Sequence, residues 1–174
     1  EGVVIKQNFS IWDGVYKSFN EAGGDLDFFD SKYWLGKQVG IIEKALKIYS
    51  EHGFITKDYP LPLIISMMLD CKSKLKVLDF GGGMGLQYLE VLSKIPNVEN
   101  KIEYHVVDGE SSINARPRQM NHFPNLKFYS SLEKLTTKID IVHIGSTLQY
   151  IEDWGGVLKY INQQFNPEYF VLSD

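Results

Sequence analysis

The sequence predicts an α/β fold, a doubly wound and mainly parallel sheet, and three observations predict it. Apolar strand-like runs recur at Lys76–Phe80, Ile102–Val107, Leu126–Tyr129, Ile139–Gly145 and Tyr169–Ser173. Helical spacing of apolar residues separates most of them, with Leu86, Leu89, Leu92 and Ile95 in the first crossover. The first strand also runs straight into an acidic residue and alternate glycines, Asp79-x-Gly81-x-Gly83-x-Gly85, with Gly82 between them. Glycine costs conformational entropy, so such a cluster marks a loop that needs positive φ or bare backbone against a ligand. Strand, glycine loop and helix together form the nucleotide-binding corner of a doubly wound sheet.

Before this corner lies a block of about seventy residues, read as a cap over 1–72 that packs on a core unit at 73–174. Phe9, Trp12, Tyr16, Phe19, Phe28 and Phe29 have no clean period and read as a segment laid over the domain, most of them serving as core. Ser31 to His52 reads as a long helix ending at Gly53, with Trp34, Ile41, Ile42, Ala45, Leu46, Ile48 and Tyr49 on its buried face. Leu61 to Leu69 reads as a second helix, opened by Pro60 and Pro62.

After the glycine loop, Leu86–Ile95 is the first crossover helix. Ser111–Asn121 is the second, and Pro117 divides it into two pieces. The connection Ser130–Lys138 holds two helical turns at most. Trp154–Phe165 is the last helix, with Trp154, Val157, Leu158, Ile161 and Phe165 on one face. Alternating strands and helices imply parallel pairing with right-handed crossovers.

Composition narrows the function classes. The net charge of −4 and the lack of a Lys/Arg cluster give no footprint for nucleic acid. The single cysteine, Cys71, rules out an internal disulfide, no Cys/His group has metal-ligand spacing, and a reducing cytoplasm is the expected compartment. No apolar run approaches a membrane span. No signal peptide is visible, and the chain opens at Glu1 without an initiator methionine, which leaves a trimmed start open.

Glycine spacing selects the nucleotide. A dinucleotide fingerprint needs G-x-G-x-x-G, and no frame through Gly81, Gly82, Gly83 and Gly85 supplies it. The pattern resembles instead motif I of the class I S-adenosylmethionine-dependent methyltransferases. The resemblance implies a Rossmann-like sheet of order 3-2-1-4-5 and S-adenosyl-L-methionine as cofactor. In that family the loop, here Gly81, Gly82, Gly83 and Gly85, passes beneath the methionine part, and the acid, here Asp79, helps hold its ammonium end. Asp108, closing the second strand ahead of Gly109, would accept from the ribose hydroxyls; an Asp-Gly turn is the alternative. Ser130 and Ser131 stand where the family contacts adenine, although a serine pair there also reads as a helix cap. Ser146 and Gln149, after the fourth strand, would line the methyl end, with Tyr150 beside the acceptor. Glu152 and Asp153 read as caps for the next helix.

Asp140 begins its strand at the opposite edge and reads as a solvated or capping carboxylate. His105 and His143 lie inside strands, where a hydrogen-bonded core histidine is expected; His52 suits a helix end and His122 lies in a loop. No Ser/His/Asp array is recognisable. A general base for the acceptor remains open among Tyr16, Glu21, His143 and Tyr150.

The run from Trp12 to Ala22, together with Asp79–Gly83 and Ser146–Tyr150, looks like a narrower group, bacterial methyltransferases found beside surface-polysaccharide (O-antigen) loci. That would imply a small-molecule or sugar-linked acceptor. The family sheet has seven strands, whereas this sequence stops after the fifth, so strands 6 and 7 are missing and the fifth is an open edge. The expectation is a fragment, or an edge covered by the cap or by a second copy in a homodimer. Two rival functions stay open: a non-catalytic or truncated nucleoside-binding domain, and an oxidoreductase using NAD or a sugar nucleotide.

Overall fold

Five strands form where the apolar runs place them, and they pair in the order β3-β2-β1-β4-β5. In the computed structural model, which describes residues 14–24, 27–53, 55 and 60–173, these are β1 Leu75–Phe80, β2 Ile102–Val107, β3 Leu126–Tyr129, β4 Ile141–Gly145 and β5 Tyr169–Ser173. Every pairing is parallel. The helices are α1 Phe19–Ala22, α2 Lys32–His52, α3 Pro60–Leu69, α4 Leu86–Lys94, α5 Glu110–Ala115 and α6 Trp154–Phe165.

The expected punctuation operates. Ser31 caps α2 by accepting from the Trp34 N–H at 3.2 Å, and Gly53 closes it in the left-handed conformation. Pro117 splits the second crossover into α5 and a 3-10 turn at Arg118–His122. Phe9, Trp12 and Asp174 lie outside the described residues.

Each face of the sheet carries its own apolar layer. On one side Val77, Tyr104, Val106 and Ile141 pack against α4 and against Ile42, Ala45, Leu61 and Ile65 of α2 and α3. On the other, Leu78, Val107, Val142 and Ile144 pack against Ile161 and Phe165 of α6. α2 and α3 therefore belong to the layer on this face of the sheet, with α3 against β1 and β5.

Several expectations are corrected. β4 starts at Ile141 rather than Ile139, because the Asp140 side chain accepts from the Lys76 N–H at 2.8 Å and so caps the edge of the sheet. Asp140 also pairs with Lys72 at 3.0 Å. Trp154 is 55% exposed, since it opens α6 directly after the Asp153 cap and faces solvent. Tyr16, Phe19, Phe28 and Phe29 are surface residues rather than core, each 39–45% exposed. Among the described residues, no strand pairs with the outer edge of β5, where Tyr169 and Leu172 are exposed. No described helix is long and apolar enough to cross a membrane.

His105 departs from expectation as well. Its ring is 1% exposed, and neither nitrogen has a hydrogen-bond partner. Burial, with Lys127 and Lys76 nearby and Glu103 opposing them, pushes the imidazole down to about 4. An unfolded histidine titrates near 6.5, so between these values the unfolded chain binds the extra proton. Stability attributable to His105 is whole above pH 6.5 and is lost as pH falls toward 4, by about 3 kcal/mol. Urea titrations at pH 7 and pH 4.5 should show this loss in the wild type and a smaller one in His105→Phe.

Candidate functional site

The strand order reverses direction between β1 and β4, and a cleft opens there at the carboxyl ends of both strands. It has a volume of about 170 Å³. The glycine loop forms its floor, Gln38 and Ile42 of α2 and Gln87 of α4 one wall, and His143, Gly145 and Ser146 the other.

The four loop glycines have different reasons to be glycine. A Cβ at Gly81 would collide with Thr147, and one at Gly82 with the Asp79 carboxylate beneath it. At Gly85 it would meet Met120 Cε at 3.1 Å. Gly83 is the exception. It holds φ +57°, and its missing Cβ faces open space with no atom within 4 Å. The backbone at residue 83 is therefore bare toward the cleft it lines.

Asp108 ties this loop to β2. Its carboxylate accepts from the Gly83 N–H and the Gly109 N–H, each at 2.7 Å, and from the Ser112 hydroxyl. Burial raises its pKa, and the two backbone donors oppose the rise. Three donors occupy three of roughly four lone-pair positions on the carboxylate. That count leaves about one acceptor position, and Asp108 itself is not part of the cleft lining.

Asp79 sits below the loop and is 1% exposed. The Tyr104 hydroxyl donates to its Oδ2 at 2.9 Å, and His143 Nδ1 lies 2.7 Å from its Oδ1. Burial first, then the charge of Asp79, pushes the Tyr104 phenol well up. His143 Nε2 lies 3.0 Å from Ser173 Oγ. No Ser/His/Asp array is recognisable in the sequence, yet the fold assembles one: Asp79, His143 and Ser173 meet across β1, β4 and β5. Their separations along the chain, 64 and 30 residues, hide it from any motif.

A second cleft of about 190 Å³ lies between the ends of β4 and β5, lined by Ser146, Thr147, Gln149, Leu172 and Ser173 among others. Ser146 belongs to both clefts and holds φ +48°, a conformation rare for serine. Its N–H donates to the Ser173 carbonyl at 2.8 Å, which fixes it there.

Other predicted site residues lie elsewhere. Ser130 accepts from Lys134 Nζ at 2.6 Å, and Ser131 pairs with Glu133, so both serve their own turn and neither lines either cleft. Glu21 serves the N-terminus of α1. It accepts from the Lys17 N–H at 2.7 Å, while Ser18 Oγ accepts from the Glu21 N–H at 3.3 Å. Tyr16 is 45% exposed and lines neither cleft. Tyr150 turns outward and packs edge-on against Phe29 at 4.9 Å, so it is not a lining residue. Asp153 caps α6 as expected, whereas Glu152 accepts from the Phe19 N–H at 3.3 Å and ties the N-terminal segment to the loop after β4. Sequence reading missed Gln38, Gln87 and Ser173, because no spacing links them to the glycine loop. Among the described residues, no His, Cys, Asp or Glu group is arranged to hold a metal.

Strand order and helical layers give the chain the Rossmann-like fold of class I methyltransferases. It superposes with a TM-score of 0.50 on a proposed S-adenosyl-L-methionine-dependent methyltransferase of Methanococcus maripaludis, at 12% identity, over 76% of this chain and 57% of that one. The plantazolicin methyltransferase, solved with a substrate analogue and S-adenosylhomocysteine, also gives 0.50 at 12% identity, over 79% and 51%. In sequence, the chain is 24% identical to histamine N-methyltransferase of Mus musculus over 148 residues, covering 73% of this chain and 50% of that protein. It thus spans about half the length of this curated relative. No protein-family model matches it.

Proposed function

We propose that this chain is a methyltransferase domain that binds S-adenosyl-L-methionine and serves an oxygen or nitrogen nucleophile of a small molecule. The bare, left-handed backbone of Gly83 at the strand-order switch point, next to Asp108, is the observation that carries this reading. The residues present fit the cofactor. Gln87 Oε1 is buried without a hydrogen-bond partner in the wall of the loop cleft, an acceptor suited to an ammonium group. Gln38 stands on the same wall. The remaining acceptor position on Asp108 suits a ribose hydroxyl, and Gly83 leaves the approach to it open.

When bound, this cofactor supplies a methyl group on a sulfonium already activated for displacement. The protein's own task is then to hold the nucleophile in line, and positioning of this kind supplies roughly 7–11 kcal/mol. The second cleft, which shares Ser146 with the first, is our acceptor site. A sugar-linked acceptor rests only on the resemblance of Trp12–Ala22, Asp79–Gly83 and Ser146–Tyr150 to the narrower group.

A thermal-shift comparison tests this reading against its rivals. S-adenosylhomocysteine should raise the melting temperature and NAD should not. Stabilisation by NAD alone would make the chain a dinucleotide-binding protein, and stabilisation by neither would remove the nucleoside site.

A further inference from the structure

The Asp79–His143–Ser173 array has a direction. Asp79 accepts the Tyr104 hydroxyl, so its carboxylate stands as the acceptor of this network. His143 Nδ1, 2.7 Å from that carboxylate, therefore carries the ring proton. Nε2 is left with a lone pair, and 3.0 Å away is the Ser173 hydroxyl. The imidazole is 1% exposed, so water does not compete for it. Gly145 makes the contact possible: a Cβ there would press on the His143 ring at 3.0 Å and on Ser173 Oγ at 3.3 Å. Ser173 in turn lines the second cleft.

Among the described residues, no charged side chain lines that cleft; Ser146, Thr147, Gln149 and Ser173 supply neutral hydrogen-bonding groups beside Leu148 and Leu172. A neutral hydroxyl would find donors and acceptors among these side chains, and a cation would find no counter-charge among them. A hydroxyl is also the group that needs its proton removed before it can react.

We infer that Asp79, His143 and Ser173 form a proton-accepting array for a neutral, hydroxyl-bearing molecule in the second cleft. The acceptor O–H bond breaks and its proton passes to Ser173 Oγ. The Ser173 proton passes to His143 Nε2, and the electron pair stays on the acceptor oxygen. The resulting imidazolium is stabilised by the Asp79 carboxylate on its far side. This deepens the methyltransferase reading and rests on it for the electrophile that the oxygen attacks; the array itself stands without it.

The Ser173-to-His143 proton transfer is testable without knowing the acceptor. A fluorophosphonate offers an electrophilic phosphorus and no proton of its own. Ser173 Oγ would form the O–P bond as its proton moves to His143, and fluoride would leave. Intact mass and peptide mapping at pH 8 should show one phosphonyl group per chain, on Ser173. Ser173→Ala should remove it, and His143→Gln and Asp79→Asn should slow labelling by roughly 10²-fold or more, the usual contribution of a positioned base. Isotope-labelled S-adenosylhomocysteine binding, measured on the same samples, separates the two proposals. Wild-type protein that binds this ligand but leaves Ser173 unlabelled overturns the array and spares the cofactor reading. Labelling at Ser173 without such binding supports the array and overturns the cofactor reading. Labelling that persists at wild-type rate in His143→Gln also overturns the array.

Discussion

Gly83→Asn is expected to weaken S-adenosylhomocysteine binding by about 100-fold, equivalent to about 2.7 kcal/mol, while leaving the protein folded. The two effects separate because of where Gly83 points. Its φ of +57° costs most side chains about 1–2 kcal/mol, but asparagine tolerates this region better than others. Nothing in the protein lies within 4 Å of the new Cβ, so no neighbour must move. The added atoms instead fill the cleft in front of the loop. Neighbouring glycines behave differently. Gly81→Ala would strike Thr147, and Gly82→Ala would strike Asp79, so both damage the fold before any ligand arrives. Titration calorimetry beside urea denaturation distinguishes these cases. Unchanged ligand affinity in a folded Gly83→Asn protein would show that the loop does not face the ligand.

Asp79→Ala carries the largest expected loss of stability, about 3–5 kcal/mol, the usual result of removing one member of a buried, hydrogen-bonded charged network. The carboxylate is 1% exposed and serves donors from two strands, Tyr104 on β2 and His143 on β4. Deleting it leaves the Tyr104 hydroxyl and the Nδ1 of His143 unpaired in the core, and also a void under Gly82. For a chain of this size the melting temperature should fall by about 6–20 °C. Tyr104→Phe removes only one donor to the carboxylate and should cost about 1.5–3 kcal/mol. Equal effects of the two substitutions would mean that the His143 side of the network contributes nothing to the fold.

Local signals account for what the sequence made legible. The strands, the α2 boundaries and the break after α5 follow from apolar period, Ser31, Gly53 and Pro117, each of which acts on its immediate neighbours, whereas the strand order came from the resemblance carried by the glycine loop. The loop at Gly81–Gly85 and Asp108 are legible for the same reason, since each follows its strand directly. What escaped depends on register between strands. Asp79 faces His143 only because β1 and β4 pair with those residues opposite each other. Ser173 joins them because β5 places it opposite Gly145. Gln38 reaches the cleft from a helix that begins more than forty residues before the loop, and no spacing rule connects them. Tyr150 and Trp154 misled for the opposite reason: Tyr150 reads as a pocket residue after its strand and Trp154 as part of a buried helix face, while here a tight 3-10 turn at Leu148–Tyr150 and the Asp153 cap turn both outward. His105 reads as a satisfied core histidine, and only the surrounding side chains show that its nitrogens lack a hydrogen-bond partner.

The most direct measurement is a crystal structure of the protein with S-adenosylhomocysteine. Its methionine portion should lie across Gly81–Gly83 with the amino group at Gln87 and a ribose hydroxyl on Asp108. Density for the ligand away from that loop, with Gln87 and Asp108 untouched, would contradict the account.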